Sequence, residues 1–345
     1  MSNLNTVIAT PVCTPWLSVL VPVYNVQAYL AQCVQSVLSQ GVAGVEVLLL
    51  DDAATDGSAA IMQTLAQKHP DSVRVFAHET NRGLAAARNT LLGHALGRYV
   101  WFLDSDDLLF PGAIAALEKI VHTSAPDMVL CDFGYVREHM RLVHRLRGEA
   151  HRSAFAFDAV NPCEDRAKLL LGLIQSAQLH AWSKIARREI WQCAPFPEGQ
   201  YFEDIPTIPA LVRATTRFIH VAKPWVGYRQ REGSILAKYN STKLTHLLNG
   251  LLELNQGVRT LSAEQNLGCE AAVEDFCLRT VASAVQRIDR LTEPEQIDSL
   301  RSNFQLALPV LFPNGVASVL SRWLRAGWWV RTLRIRSRLR KAGFL

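Results

Sequence analysis

Short apolar runs alternating with stretches of helical periodicity constrain this chain's fold more than any other feature. The runs are Leu17 to Val23, Val45 to Leu50, Val73 to Ala77, Tyr99 to Leu103 and Met128 to Cys131, each rich in β-branched or aromatic residues. Between the first two, Tyr29, Leu30, Cys33, Val34, Val37 and Leu38 recur at helical spacing; Ile61 with Leu65, and Leu84 with Arg88, Leu91 and Leu92, mark two further helices. Strand, helix, strand order predicts an α/β fold, a Rossmann-like and mostly parallel sheet with helices on both faces. Such sheets bind ligands beyond the carboxyl ends of their strands. Polar groups collect there: Tyr24-Asn25 after the first run, Asp51-Asp52 after the second, Asp104-Ser105-Asp106-Asp107 after the fourth.

The last cluster carries the most chemistry. A buried strand that delivers carboxylates to a sheet edge can hold a hard divalent cation through oxygen ligands and share it with phosphates, an arrangement suited to a nucleotide diphosphate. Alternatively, Asp106 or Asp107 caps the helix that begins near Pro111-Gly112. No G-x-G-x-x-G follows the first strand, which argues against a dinucleotide-binding domain.

At 345 residues and 49% apolar content the chain can bury one principal core with additions. The net charge of +5 is modest, but Arg and Lys crowd the last two dozen residues, so an anionic partner is expected locally. The seven cysteines are scattered without a C-x-x-C pair, pointing to neither a disulfide framework nor a zinc site, and a reducing cytoplasm is the default. Met1 to Pro15 lacks the features of a secretion signal, and no apolar stretch of about 18 residues appears that would span a bilayer.

Residues Phe133 to Val160 are basic and irregular and read as a variable loop region. A second ordered block, Arg166 to Arg231, contains Trp182-Ser183-Lys184, Phe196-Pro197-Glu198-Gly199 and Glu203-Asp204; from Thr242 to Leu320 the pattern is largely helical. In the tail, Arg322 to Arg331 interleaves cations with Trp323, Trp328 and Trp329, and Arg334, Arg336, Arg338, Arg340 and Lys341 follow. Such a segment either lies in a lipid headgroup region, which its tryptophans favour over nucleic acid, or docks on the protein's own core.

The sequence resembles the family 2 glycosyltransferases of the GT-A fold. It carries Leu17-Ser18-Val19-Leu20-Val21-Pro22-Val23-Tyr24-Asn25, then Asp51-Asp52 with Thr55-Asp56-Gly57-Ser58, then Asn81-Arg82-Gly83-Leu84-Ala85-Ala86-Ala87-Arg88-Asn89, then Asp104 to Asp107, and the three later motifs, in the family's order. The resemblance implies a GT-A domain over 17–234, nucleotide-binding in 17–132 and acceptor-binding in 133–234, after a leader (1–16) and before a helical extension (235–321) and a basic amphipathic tail (322–345). It implies that Pro22, Tyr24, Asp51, Asp52 and Arg88 hold the nucleoside half of a nucleotide-sugar. Asp104 approaches the donor and, with Asp106, holds Mn²⁺ or Mg²⁺. Asp204, with Glu203 as the next candidate, is the base of an inverting transfer, and Lys184, Arg229 and Arg231 meet the leaving diphosphate. The family's frequent histidine near that arginine-rich loop is missing between Lys223 and Tyr239, and Gln27 replaces its usual Glu.

The expectation is therefore a metal-dependent inverting hexosyl- or N-acetylhexosaminyl-transferase. It would move a sugar from a nucleotide-sugar, UDP-linked by preference, to a glycan or lipid-linked glycan. The enzyme would be cytoplasmic and peripheral on the inner membrane face, bound to anionic lipid through 322–345, with no nucleic-acid partner. The rivals are a catalytically silent, membrane-associated assembly partner and a sugar-nucleotide nucleotidyltransferase. The latter lacks its Gly-rich triphosphate loop here.

Overall fold

The computed structural model describes residues 14–137, 148–230 and 239–345. Its centre is a sheet of eight strands in the order β3-β2-β1-β4-β7-β6-β8-β5. The strands are β1 (Leu17–Val23), β2 (Val45–Asp51), β3 (Val73–Ala77), β4 (Tyr99–Phe102), β5 (Leu108–Leu109), β6 (Met128–Val136), β7 (Lys184–Arg187) and β8 (Phe218–Arg229). The expected parallel half is present: β1 pairs in parallel with β2 and β4, and β2 with β3. Antiparallel β7 then joins β4 to β6. β1 and β4 are buried on both faces, as near-continuous apolar runs predict.

Helices α1 (Leu30–Leu38), α2 (Ser58–Lys68), α3 (Leu84–His94) and α4 (Ala113–Ser124) connect the first strands. Further on come α5 (Arg166–Ser176), α6 (Arg188–Gln192) and α7 (Asp204–Ala214). The buried residues form two apolar clusters, one on each sheet face: Leu20, Leu48 and Phe102 belong to one, Val19, Val47 and Trp101 to the other. This is the strand alternation expected of a sheet covered on both sides.

Two elements differ from the sequence reading. β6 runs on through Phe133 to Val136, where a loop was expected, because register shifts at Asp132 let it keep pairing with β8 and break the period-2 pattern. β8 itself carries Pro224, which disguises it as a non-strand.

The C-terminal third is helical: α8 (Ser241–Gln265), α9 (Glu270–Ile288), α10 (Pro294–Leu311), α11 (Gly315–Arg325) and α12 (Trp329–Lys341). Its core is continuous with one sheet cluster through Leu244, Leu251, Phe276 and Phe304. The tail divides between the two alternatives left open above. Trp323 is buried and donates to Asp275 Oδ1 at 2.8 Å, while Arg322 pairs with Asp275 and Glu274. By contrast, Trp329, Val330 and Leu333 are 65%, 72% and 63% exposed. No single helix among the described residues is long and apolar enough to cross a membrane; α10 and α11 reach that composition only as a pair bent by 65°.

Candidate active site

Parallel pairing puts the carboxyl ends of β1, β2 and β4 on one edge of the sheet. Pro22 fits inside β1 for a reason of register. Leu20 turns its carbonyl toward Leu103, just past β4 (2.9 Å), so residue 22 faces the same side, beyond the last β1–β4 pair, Leu20 with Phe102. A residue without an N–H therefore costs no ladder bond there. Beyond it Tyr24 is 47% exposed, and Asn25 adopts φ 51°.

The loops after β1 and β2 are laced together. Asn25 Oδ1 accepts from Thr55 N (2.8 Å), Asp56 Oδ2 from Gln27 N (2.9 Å), and Gln27 Oε1 from Gly57 N (2.7 Å). Asp51 accepts from Ala54 N (2.7 Å), which closes the turn after β2. Asp52 is buried, and its carboxylate accepts from Arg82 N (2.9 Å), Gly83 N (2.8 Å) and His78 Nδ1 (2.7 Å). Asp52 thus anchors the amide groups that lead into α3.

Arg88, expected on the nucleoside side, is held by carboxylates. It projects from α3 into the interior, where its side chain is 2% exposed. Its Nη2 donates to Asp104 Oδ1 at 2.9 Å, and its Nη1 donates to Glu203 Oε1 at 2.7 Å and Asp204 Oδ1 at 3.0 Å. The guanidinium also lies 5.2 Å from the centre of the Phe196 ring. One buried cation therefore joins the carboxylate that follows β4 to both carboxylates at the start of α7. Burial alone would weaken the hold of Arg88 on its proton, but Asp204, Asp104 and Glu203 outweigh it and raise its pKa. Burial pushes the Glu203 carboxyl up to about 7, against the opposing pull of Arg88. Asn89, one residue on, accepts from Phe196 N (3.0 Å) and donates to Phe196 O (2.8 Å), fixing the loop that precedes Glu203-Asp204.

The acidic loop after β4 is clasped by Arg229 from β8. Arg229 N donates to Asp107 Oδ1 (2.8 Å), its Nε to the Asp106 carbonyl (2.8 Å), and its Nη2 to Gln32 Oε1 (2.7 Å). Asp107 is buried with Oδ2 unpartnered, and burial followed by the charges of Asp104 and Asp106 drives its pKa well up. Lys184 is wholly buried and donates to the His180 carbonyl (2.8 Å), the Gln178 carbonyl (3.3 Å) and Ser183 Oγ (3.2 Å). Burial, opposed by Asp204, lowers its pKa to about 8. Arg231 lies outside the described residues.

The structure thus brings together Asp104, Arg88, Glu203 and Asp204, with Asp106 in the adjoining loop and Arg229 of β8 against it, and ties Asp51, Asp52 and Lys184 into backbone contacts. It adds groups that the sequence did not single out. Gln32 holds Arg229; His78 holds Asp52. His180 stacks on Trp182 (4.9 Å between centroids, 8° between planes). Trp182 in turn stacks on Tyr228 (5.6 Å), whose pKa is raised by burial and then by Asp107, Asp104 and Asp106. Asn89 and Trp182 lay inside motifs visible in sequence.

Among the described residues no group of three or more His, Cys, Asp or Glu is arranged to hold a metal. The acidic loop nonetheless suits a hard cation: its donors are carboxylate oxygens, and the orphaned Oδ2 of Asp107 beside Asp104 and Asp106 marks surplus negative potential.

Comparison with known proteins agrees with this architecture. GlyA, a glycosyltransferase of Streptococcus pneumoniae, is 26% identical over 238 residues, 69% of this chain, and the match spans 34% of GlyA's own length. Residues 1–349 of S. aureus TarS, solved with UDP-GlcNAc, superpose with a TM-score of 0.56 at 18% identity, covering 90% of this chain and 92% of that one. The mannosyltransferase PcManGT of Pyrobaculum calidifontis, solved with GDP-Man and Mn²⁺, gives a TM-score of 0.52 at 20% identity, covering 95% of this chain and 87% of that one. A family model described as Glycosyl transferase family 2 matches residues 18–178, the span that holds Asp52, Arg88, Asp104 and Asp106; over that span the chain is similar to the family 2 glycosyltransferases, and its fold is of the GT-A type.

Proposed function

We propose that the protein is an inverting glycosyltransferase that takes a sugar from a nucleotide-sugar, preferentially UDP-linked, and places it on a hydroxyl of a cell-surface glycan precursor. The observation that carries this reading is the bridge from Asp104 through Arg88 to Glu203 and Asp204, which sets a donor-side and an acceptor-side carboxylate against one buried cation. The exposed Tyr24 offers a ring to the base, with Pro22 behind it. Asp106 and Asp104 would hold a divalent cation, which when bound supplies positive charge for the departing diphosphate. Asp204, whose Oδ1 is oriented by Arg88, takes the acceptor hydroxyl proton through Oδ2 as that oxygen attacks the anomeric carbon. A carbon–oxygen bond forms on one face of the sugar while the bond to the diphosphate breaks on the other, so configuration inverts. Arg229 keeps the acidic loop in place during release.

The tail supports a place at a membrane surface. Between Asp298 and the C-terminus there is no Asp or Glu, while arginines recur through α12 beside exposed Trp328, Trp329, Val330 and Leu333. That combination fits the anionic inner face of a membrane. The deciding experiment is a donor-hydrolysis and transfer screen over UDP-, GDP-, CDP- and dTDP-sugars with Mn²⁺ or chelator, in wild type and Asp106→Ala. Turnover that needs the metal and Asp106 supports the reading; no turnover with any donor leaves the silent assembly partner as the better account.

A further inference from the structure

A second chemically distinctive place lies among α5, α8 and α9, away from the acidic loop. A cavity of about 260 Å³ is lined there by Tyr239, Phe276, Arg279, Thr280, Ser283 and Arg287. Arg279, Ser283 and Arg287 are spaced four residues apart on α9, and Phe276 and Thr280 likewise, so a single stripe of that helix supplies both cations and both hydroxyls. Arg287 lies over the Tyr239 ring at 4.2 Å and donates from Nη1 to the Ser283 carbonyl at 3.1 Å and to Ser283 Oγ. Arg279 donates only from Nε, to the Asp275 carbonyl at 3.2 Å. Neither guanidinium forms an ion pair among the described residues, although other half-buried arginines here, such as Arg322, do. Burial, and then the neighbouring charge of Arg331 from α12, pushes the Arg279 pKa down against the opposing pull of Asp275, which makes no ion pair with it.

Two forked guanidinium groups with a serine hydroxyl and no carboxylate in the described lining make a receptor for an oxyanion, and arginine's planar fork matches phosphate in particular. We propose that this cavity binds a phosphate group, at a site separate from the nucleotide-sugar site, with Arg279 and Arg287 taking its oxygens and Ser283, whose Oγ accepts from Arg287, donating to it; the Thr280 hydroxyl is held by the Phe276 carbonyl at 2.9 Å. The phosphate comes from a membrane lipid headgroup or from solution; Arg279 feels the charge of Arg331, at the start of the helix that exposes Trp329 and Val330. A filled cavity would also fix Tyr239, which stacks on Phe202 (6.0 Å, 21°), the residue before Glu203.

The test is titration calorimetry of the full-length protein with inorganic phosphate and pyrophosphate, in chelator to silence metal-dependent binding at the acidic loop. Saturable binding is expected, weakened about tenfold or more in Arg279→Gln and in Arg287→Gln by loss of a charge-assisted bond, and retained in Asp104→Asn/Asp106→Asn. Arg279→Lys, which keeps the charge, should retain an intermediate affinity, and donor hydrolysis should persist in all three arginine variants, showing that they fold. No saturable binding, or binding that survives in Arg279→Gln/Arg287→Gln, overturns the proposal. Vesicles of phosphatidylcholine with and without phosphatidic acid identify the source. A loss of phosphatidic-acid-dependent sedimentation in the double variant assigns the site to a lipid headgroup; unchanged sedimentation with lost phosphate binding assigns it to a soluble phosphate.

Discussion

Replacing Arg88 by Met keeps much of the side-chain volume against Phe196 and Phe102 but removes the one cation shared by Asp104, Glu203 and Asp204. Breaking a buried ion pair by deleting one partner costs about 3–5 kcal/mol, because the other partner keeps its desolvation penalty without its attraction. Here the partners left behind are Glu203, 8% exposed, and the progressively more solvated Asp204 (17%) and Asp104 (27%). The largest share of the loss should therefore fall on Glu203. In a chain of this size that deficit lowers Tm by roughly 4–7 °C at pH 8. The penalty should shrink toward pH 5, where the Glu203 carboxyl, which titrates at about 7, is neutral. Adding Glu203→Gln should recover more than about 1 kcal/mol, a coupling that independent sites would not show. Urea unfolding of wild type, both single variants and the double variant at pH 8 and pH 5 completes the cycle. A loss under about 1 kcal/mol, or additivity at both pH values, would refute the idea that one buried charge holds the two halves of the site together.

Asp204→Asn should leave UDP binding intact and lower kcat by about 10² to 10⁴, measured by product formation; near-normal turnover would pass the role to Glu203. Calorimetry of UDP should show clearly tighter binding with Mn²⁺ than in chelator, a difference that vanishes in Asp106→Ala. Because burial raises the folded-state pKa of Glu203 from 4.5 to about 7, its stabilisation is complete below pH 4.5 and lost as pH rises through 7. Stability should fall across that window by up to about 1.4 kcal/mol per pH unit, a slope absent in Glu203→Gln. Since Trp323 and Arg322 are docked on α9, the membrane reading is better tested by Trp328→Ser/Trp329→Ser/Leu333→Ser than by truncation. That variant should lose co-sedimentation with anionic vesicles at low salt while keeping donor hydrolysis.

The parallel half of the sheet was legible because its strands are buried on both faces and read as unbroken apolar runs, with helices of clear period between them. β8 was not, since a strand interrupted by Pro224 and half exposed in its middle offers neither a run nor an alternation. Within the site, the acids could be located from strand ends alone, for chain direction dictates where the residue after a parallel strand must lie. What sequence could not supply were the partners of the long side chains. Arg88 shares a helical stripe with Leu84, Leu91 and Leu92, which turns it inward, but its partners Glu203 and Asp204 lie 115 and 116 residues away. Asp52 and Lys184 were visible as charged residues but not as bonded to backbone groups, because those amides and carbonyls come from loops whose course is set by tertiary packing.

The place of β7 in the sheet has a consequence for synthesis. The first four strands to leave the ribosome can pair β3-β2-β1-β4 at once, but the free edge of β4 is closed only when Lys184–Arg187 arrive. Until then Tyr99-Val100-Trp101-Phe102 stands at the rim of a nascent sheet, a short, uncharged, aromatic edge of the kind that recruits other strands. At about 5–20 residues per second the remaining segment takes several seconds to make. Over that interval the stretch destined to be among the most deeply buried of the protein is its most adhesive surface, so slow translation or high expression should aggregate this chain through β4.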